Sequence, residues 1–174
     1  LKQLHRWISS LENYNVKSLW SDYTENRTYN DDTLNEKIEF ITQAVSASKP
    51  TMLLDIGCNT GEFSLLAEKA GAQNVVGIEY DHLALSKAYL AAKKSGNKFL
   101  PIYQNILNPS PSQGWASQER GSFKSRLSAD FALSLAVIHH IVFSGNVPLD
   151  MAIDYITGLA LEGIIEWVPK TDPM

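Results

Sequence analysis

The stretch LLDIGCNTG, residues 53–61, constrains this chain more than any other. An apolar run ends in Asp55 and breaks at once into a turn with glycines at 57 and 61. A buried strand that ends in a carboxylate and opens into a bare loop before a helix begins a βαβ unit. The surrounding chain repeats the alternation. TMLLDIG (51–57), NVVGIEY (74–80), FLPIYQN (99–105), ADFALSLAVI (129–138) and GIIEWV (163–168) read as strands. Helices are expected over 61–70, closed by Gly71, over 82–95, stopped at Gly96, and over 148–161, with Pro148 near the first turn. Pro101 suits an edge position for the third strand, where a missing N–H costs little. The run 129–138 does not alternate apolar with polar residues, as expected for a central parallel strand covered on both faces. Right-handed βαβ units of this kind give an α/β domain with a parallel sheet, whose ligands bind outside the carboxyl ends of the strands.

Ahead of the first strand, Leu1, Leu4, Ile8 and Leu11 fall at helical spacing over 1–13, with Trp7 beside them. A short segment over 16–25 carries Trp20 and Tyr23, and ENRTYNDD reads as a loop. Asp31 or Asp32 can cap a helix over 33–47 with Ile38, Ile41 and Val45 on one face. At 174 residues with 44% apolar and 20% charged side chains, the chain is one soluble domain in size and composition. Its net charge of −4 argues against a polyanionic nucleic acid as the main partner. The single cysteine, Cys58, excludes an internal disulfide or a cysteine metal knuckle and suits a reducing, cytoplasmic setting. No apolar run approaches the ~18–20 residues of a membrane span, and residues 1–10 lack the apolar core of a signal peptide.

The glycine loop must then be matched to a ligand. A dinucleotide turn of the form G-x-G-x-x-G that begins at Gly57 needs glycines where Asn59 and Glu62 stand, and the Glu62 carboxylate repels a pyrophosphate. A nucleoside-triphosphate loop needs a lysine directly after Gly61, where Glu62 stands. A ligand without phosphate survives, and S-adenosylmethionine, an adenosine with a sulfonium and an amino-acid tail, fits. Asp55 can face the tail ammonium and loop N–H groups the tail carboxylate. Glu79, at the tip of the second strand about 20 residues past Gly57, is placed to accept hydrogen bonds from ribose hydroxyls.

DIGCNTG followed by VVGIEYD resembles motif I and the following acidic motif of class I S-adenosylmethionine-dependent methyltransferases. ADFALSLAVIHHI and LALEGIIEWVPK resemble that family's fourth and fifth strands. A narrower likeness runs through NPSPSQGW, Glu119–Arg120, VIHHI, NVPL and EWVPKTDP, to bacterial methyltransferase-like proteins described as nodulation-protein-related. The resemblance implies a Rossmann-like three-layer α/β/α domain over 31–174, sheet order 3-2-1-4-5, with a helical segment over 1–30 in front. It implies a methyl acceptor of small-molecule kind, and as the alternative a non-catalytic module that only holds the cofactor or its product. Carried over by position, Asp55, Gly57, Cys58, Asn59, Thr60 and Gly61 line the methionine end. Glu79 binds ribose, Tyr80 packs near adenine, and Asn105 with Ile106 stands where the family has an acid for the adenine amine. Leu135 and Ala136 lie under the cofactor, and Tyr29 is placed to touch it from the leading segment. The family sheet normally continues with an antiparallel pair past strand five. The chain stops at Met174, so a longer parent chain, or another subunit of a homo-oligomer, is expected to cover that edge.

His139 and His140 follow the fourth strand where an acceptor would sit. One can serve as a general base, or both can be loop and wall residues. Neighbouring side chains on a strand point apart, so the pair does not suggest a metal site. Cys58 reads as a small loop residue. The connection 106–128 is long and holds Pro109, Pro111, Gly114, Trp115 and a short helix near 117–127, as either a lid or a plain crossover.

Overall fold

A computed structural model describes residues 2–10, 31–95 and 98–168. Trp20, Tyr23, Tyr29 and Gly96, singled out above, lie outside the described residues. Helix α1 (Lys2–Ser9) stands ahead of α2 (Asp31–Ser48). Then follow β1 (Leu53–Ile56), α3 (Glu62–Lys69), β2 (Val75–Glu79), α4 (His82–Ser95) and β3 (Phe99–Tyr103). After the long connection come α5 (Phe123–Arg126), β4 (Phe131–Ser134), α6 (Leu149–Thr157) and β5 (Glu162–Ile165). The strands form one parallel sheet in the order β3-β2-β1-β4-β5, the Rossmann-like arrangement expected. Pro101 sits on the edge strand β3, opposite Gly77 of β2. Among the described residues no helix is long and apolar enough to cross a membrane.

Period-two alternation sorts the strand residues between two layers. Leu53, Val75, Phe99, Phe131 and Leu133 pack with Ile41 and Val45 of α2, Ala67 of α3 and Ala88 of α4. On the other face, Leu54, Ile56 and Ile78 meet Phe123 of α5 and Ala152 and Ile156 of α6. The amino ends of β1 and β4 are tied by Asp130, whose carboxylate accepts from the N–H groups of Thr51 (2.8 Å) and Met52 (3.0 Å).

Three local expectations change. The apolar run 129–138 contributes only four residues to the sheet. Beyond Ser134 the chain turns through Ala136, at φ 53°, and Ile138 and Ile141 reach the core from helical turns, the second a π-helical turn over His140–Ser144. The connection 106–128 holds a 3-10 turn at Trp115–Ser117, and the short helix expected near 117–127 narrows to the four-residue α5. Ser122 ends the lead-in by capping α5, its Oγ accepting from Ser125 N at 3.2 Å. Asp31 and Asp32 both lie inside the described part of α2, so neither stands outside it as a cap. The helix ends at Ser48, and Lys49, in the left-handed region at φ 49°, follows directly before Pro50.

The glycines of the β1–α3 turn answer to packing as much as to a ligand. Gly61 precedes α3 at φ 85°, and an added Cβ would fall 2.5 Å from Cε1 of Phe99. At Gly57, φ 71°, the added atom would lie 2.6 Å from Cγ2 of Val137. Gly61→Ala therefore combines left-handed strain with overpacking, and an expected loss of about 2–4 kcal/mol follows. Urea titration of the variant, with an unchanged slope, checks it. A loss below about 0.5 kcal/mol, the level of an ordinary surface substitution, would show that Phe99 yields freely.

Candidate functional site

A cavity of about 270 Å³ opens at the carboxyl ends of β1, β2 and β4. Asp55, Gly57, Cys58, Asn59 and Thr60 line it from β1 and the following turn. Glu79 and Tyr80 come from the tip of β2, Asn105 and Ile106 from the exit of β3, and Leu135, Ala136 and His140 from the exit of β4. Gly61 and His139 do not line it. Tyr29 lies outside the described residues. The sequence reading missed Leu34 and Lys37 of α2, Phe63 of α3 and Val137. No motif marks these residues; only the packing of α2 against α3 brings Lys37 to the cavity. Trp115 is 85% exposed on a turn closed by Gln113 and Arg120, and it is not part of the cavity wall.

Glu79 organises the loop. Its carboxylate is buried, with Oε2 accepting from Asn59 N at 3.0 Å. Oε1 accepts from Tyr80 N at 2.8 Å and Asp81 N at 2.9 Å. Asn59 takes φ 49°, a left-handed conformation that asparagine tolerates better than most side chains, so it can stand where other loops use glycine. Asn105 turns the chain out of β3, its Oδ1 accepting from Leu107 N at 2.9 Å. A carbonyl oxygen has a second lone pair, so this leaves room for a ligand amine.

Asp55 lies on the α3 face of β1 and accepts a hydrogen bond from Ser64 Oγ at 2.6 Å. Burial pushes its pKa up from 3.8 to about 6, with Glu79 adding to the rise while Ser64 and Lys37 oppose it. Cys58 packs into the gap that Gly77 leaves, where an added Cβ would lie 2.7 Å from its Sγ. Burial there, with Asp55 and Glu79 nearby, pushes the thiol well above its usual range, so it stays protonated and inert. His139 and His140 sit on a helical turn, not a strand, and their rings meet at 3.8 Å between centroids, tilted by 47°, instead of pointing apart. Burial and then His139 lower the His140 pKa to about 4, so this cavity imidazole is neutral at physiological pH. Among the described residues no group of three or more His, Cys, Asp or Glu could hold a metal ion.

The Asp55 shift has a definite sign in stability. Its folded pKa lies above its unfolded one, so its contribution is fully present below pH about 4 and is lost as pH rises through about 6. The ionised group costs roughly 3 kcal/mol at neutral pH. Asp55→Asn is expected to gain on the wild type between pH 4 and 7, by up to about that amount, in ligand-free urea titrations. A gap that does not change with pH would show that Asp55 ionises normally.

A family model described as a methyltransferase domain matches residues 25–152. Nodulation protein NoeA of Rhizobium meliloti (strain 1021) is 42% identical over 173 residues, covering 99% of this chain and 36% of that protein. The chain thus spans little more than a third of the length of this curated relative. Among solved structures, the bifunctional kinase-methyltransferase WbdD superposes with a TM-score of 0.61 at 20% identity, over 98% of this chain and 36% of that one. Magnesium protoporphyrin IX methyltransferase from Synechocystis PCC 6803, solved with bound SAH, gives a TM-score of 0.57 at 19% identity, over 98% of this chain and 69% of that one. The structural likenesses speak for the fold. With the family model spanning most of its length, the chain belongs to the methyltransferase domain family, whose methyl donor is S-adenosylmethionine.

Proposed function

We propose that this chain binds S-adenosylmethionine across the tips of β1 and β2 and directs its methyl group to a small-molecule acceptor. The observation that carries the reading is the acidic wall of the cavity. Asp55, Glu62 and Glu79 share the cavity wall with the bare turn, a set of anionic acceptors suited to a cationic nucleoside. Glu79 accepts from the ribose hydroxyls while its backbone partners hold the loop in place. Tyr80, with Asn105 and Ile106, borders the adenine. Leu135 and Ala136 support the ligand from the β4 exit, and Asp55 meets the tail ammonium, which favours its ionised form.

When bound, the cofactor supplies a methyl group on a sulfonium that departs as a neutral thioether. The protein has to align the acceptor behind that methyl, and alignment alone is worth ~7–11 kcal/mol. His140 faces the same cavity as a neutral imidazole and takes the proton from an acceptor hydroxyl or amine. His139 packs its ring against that of His140, 3.8 Å between centroids, and is a positioning residue for it.

Calorimetry with S-adenosylmethionine, S-adenosylhomocysteine and NAD tests the cofactor. The first two should bind and NAD should not. Glu79→Ala is expected to weaken S-adenosylhomocysteine by about tenfold or more, having lost charge-assisted bonds to ribose and the brace on Asn59. Unchanged affinity would remove the ribose from this strand tip. Release of labelled methyl product across hydroxyl, amine and carboxyl acceptors separates an enzyme from a holder. With an acceptor in hand, His140→Asn should lower kcat by about 10²–10⁴ and leave cofactor affinity intact.

A further inference from the structure

The amino-acid tail of the proposed cofactor carries a carboxylate as well as an ammonium, and the carboxylate needs a partner. The β1–α3 turn was expected to meet it with backbone N–H groups, but those donors are largely spent inside the protein. Gly57 N and Cys58 N both donate to the Ile78 carbonyl, at 2.9 and 3.0 Å. Asn59 N donates to Glu79 and Gly61 N to the Cys58 carbonyl, at 3.0 and 2.8 Å. A carboxylate arriving beside Asp55, Glu62 and Glu79 would also enter a field of its own sign.

Among the described residues that line the cavity, Lys37 has the one cationic side chain. Its ammonium lies 4.7 Å from the centroid of the Phe63 ring, itself a wall residue, and close enough to Asp55 to lower that carboxyl's pKa. Glu166, just past β5, accepts a hydrogen bond from Lys37 Nζ at 2.7 Å. Glu166 is in turn fixed by its own N–H, which donates to the Ser134 carbonyl at 2.9 Å. The ammonium is thus braced from the sheet and from α3, and its three donors let it serve a ligand carboxylate alongside Glu166. Lys37 and Asp55 together present opposite charges to the opposite charges of an amino-acid tail.

We infer that Lys37 is the residue that recognises the ligand's α-carboxylate, with Glu166 as its positioning residue. The inference rests on the cofactor reading above and extends it to the part of the ligand that separates an amino-acid nucleoside from a plain one. Calorimetry with S-adenosylhomocysteine and with 5′-methylthioadenosine, which keeps the nucleoside and thioether but lacks the tail, isolates it. Lys37→Met should weaken S-adenosylhomocysteine by about tenfold or more and leave 5′-methylthioadenosine within about twofold. Lys37→Arg should keep most of the preference for the tailed ligand. Should the methionine variant fail to fold, Lys37→Gln gives the same comparison.

An equal loss for both ligands would make Lys37 only a strut between α2 and β5, and would overturn the inference. So would an unchanged affinity for S-adenosylhomocysteine, which would place the carboxylate elsewhere, such as the first turn of α3. In both cases the cofactor reading survives, because the wild type still binds. A wild type that binds neither compound overturns both together.

Discussion

One buried carboxylate holds the site together. The turn after β1 and the exit from β2 are separate segments, and both converge on Glu79 through the N–H groups of Asn59, Tyr80 and Asp81. Hydrogen bonds to a charged acceptor are worth about 1.5–3 kcal/mol each, enough to offset the desolvation of an acid at a strand tip. Two residues on, Asp81 starts α4, its Oδ1 accepting from Leu83 N at 3.0 Å and Ala84 N at 2.8 Å. The three-residue stretch Glu79–Tyr80–Asp81 thereby fixes the loop on one side and launches the next helix on the other. Without the first acid, the turn would have to find other acceptors for its donors.

Strand alternation explains why Asp55 and Glu79 act on the same space. Asp55 is paired in register with Gly77, and Glu79 lies two residues further along the same face of β2. Between them Gly77 has no side chain, and the gap is filled by Cys58 and the Phe99 ring. Phe99 also abuts Gly61. The bare positions of the motif thus form a packing chain from β3 through β2 to the start of α3. Asp55 is the costly member of the set. It is buried, raised in pKa and supported by Ser64, so the ligand-free protein bears an ionisation penalty that a cationic ligand would relieve.

Much of this was legible before the structure. The parallel sheet, the edge position of Pro101 and the meeting of Asp55 and Glu79 at one end of it follow from apolar runs, turn residues and spacing, while Asn59, Tyr80, Asn105 and Ala136 were placed there by the family resemblance. What was not legible has physical causes. The apolar stretch after Ser134 looked like more strand because burial on a helical turn and burial in a sheet demand the same residue types. That error put the two histidines on a strand with diverging side chains, where the chain in fact brings the rings together. Glycine's role at 57 and 61 was assigned to the ligand because Val137 and Phe99, distant in sequence, cannot be seen approaching. Lys37 carries no motif at all. Its relevance comes from a contact with Glu166 across most of the chain.

The charge layout accounts for ligand choice better than the glycines do. A turn with room for backbone approach could in principle accept a pyrophosphate. Two like charges 4 Å apart at an effective dielectric near 20 repel by about 4 kcal/mol, so each phosphate placed near Asp55, Glu62 and Glu79 would face a heavy penalty. Lys37 does not reverse that balance, because Glu166 already neutralises part of it. It can, however, accommodate one carboxylate at the α2 side of the cavity. A ligand that is cationic at its centre, hydroxylated at one end and zwitterionic at the other complements Asp55, Glu79 and Lys37 among the described residues. Nucleotides satisfy only the hydroxyl requirement, and a plain nucleoside leaves both Asp55 and Lys37 without a counter-charge from the ligand. Discrimination of this kind comes from unmatched charges as much as from matched ones, and here it rests on Asp55, Glu62, Glu79 and Lys37, four side chains on four different elements.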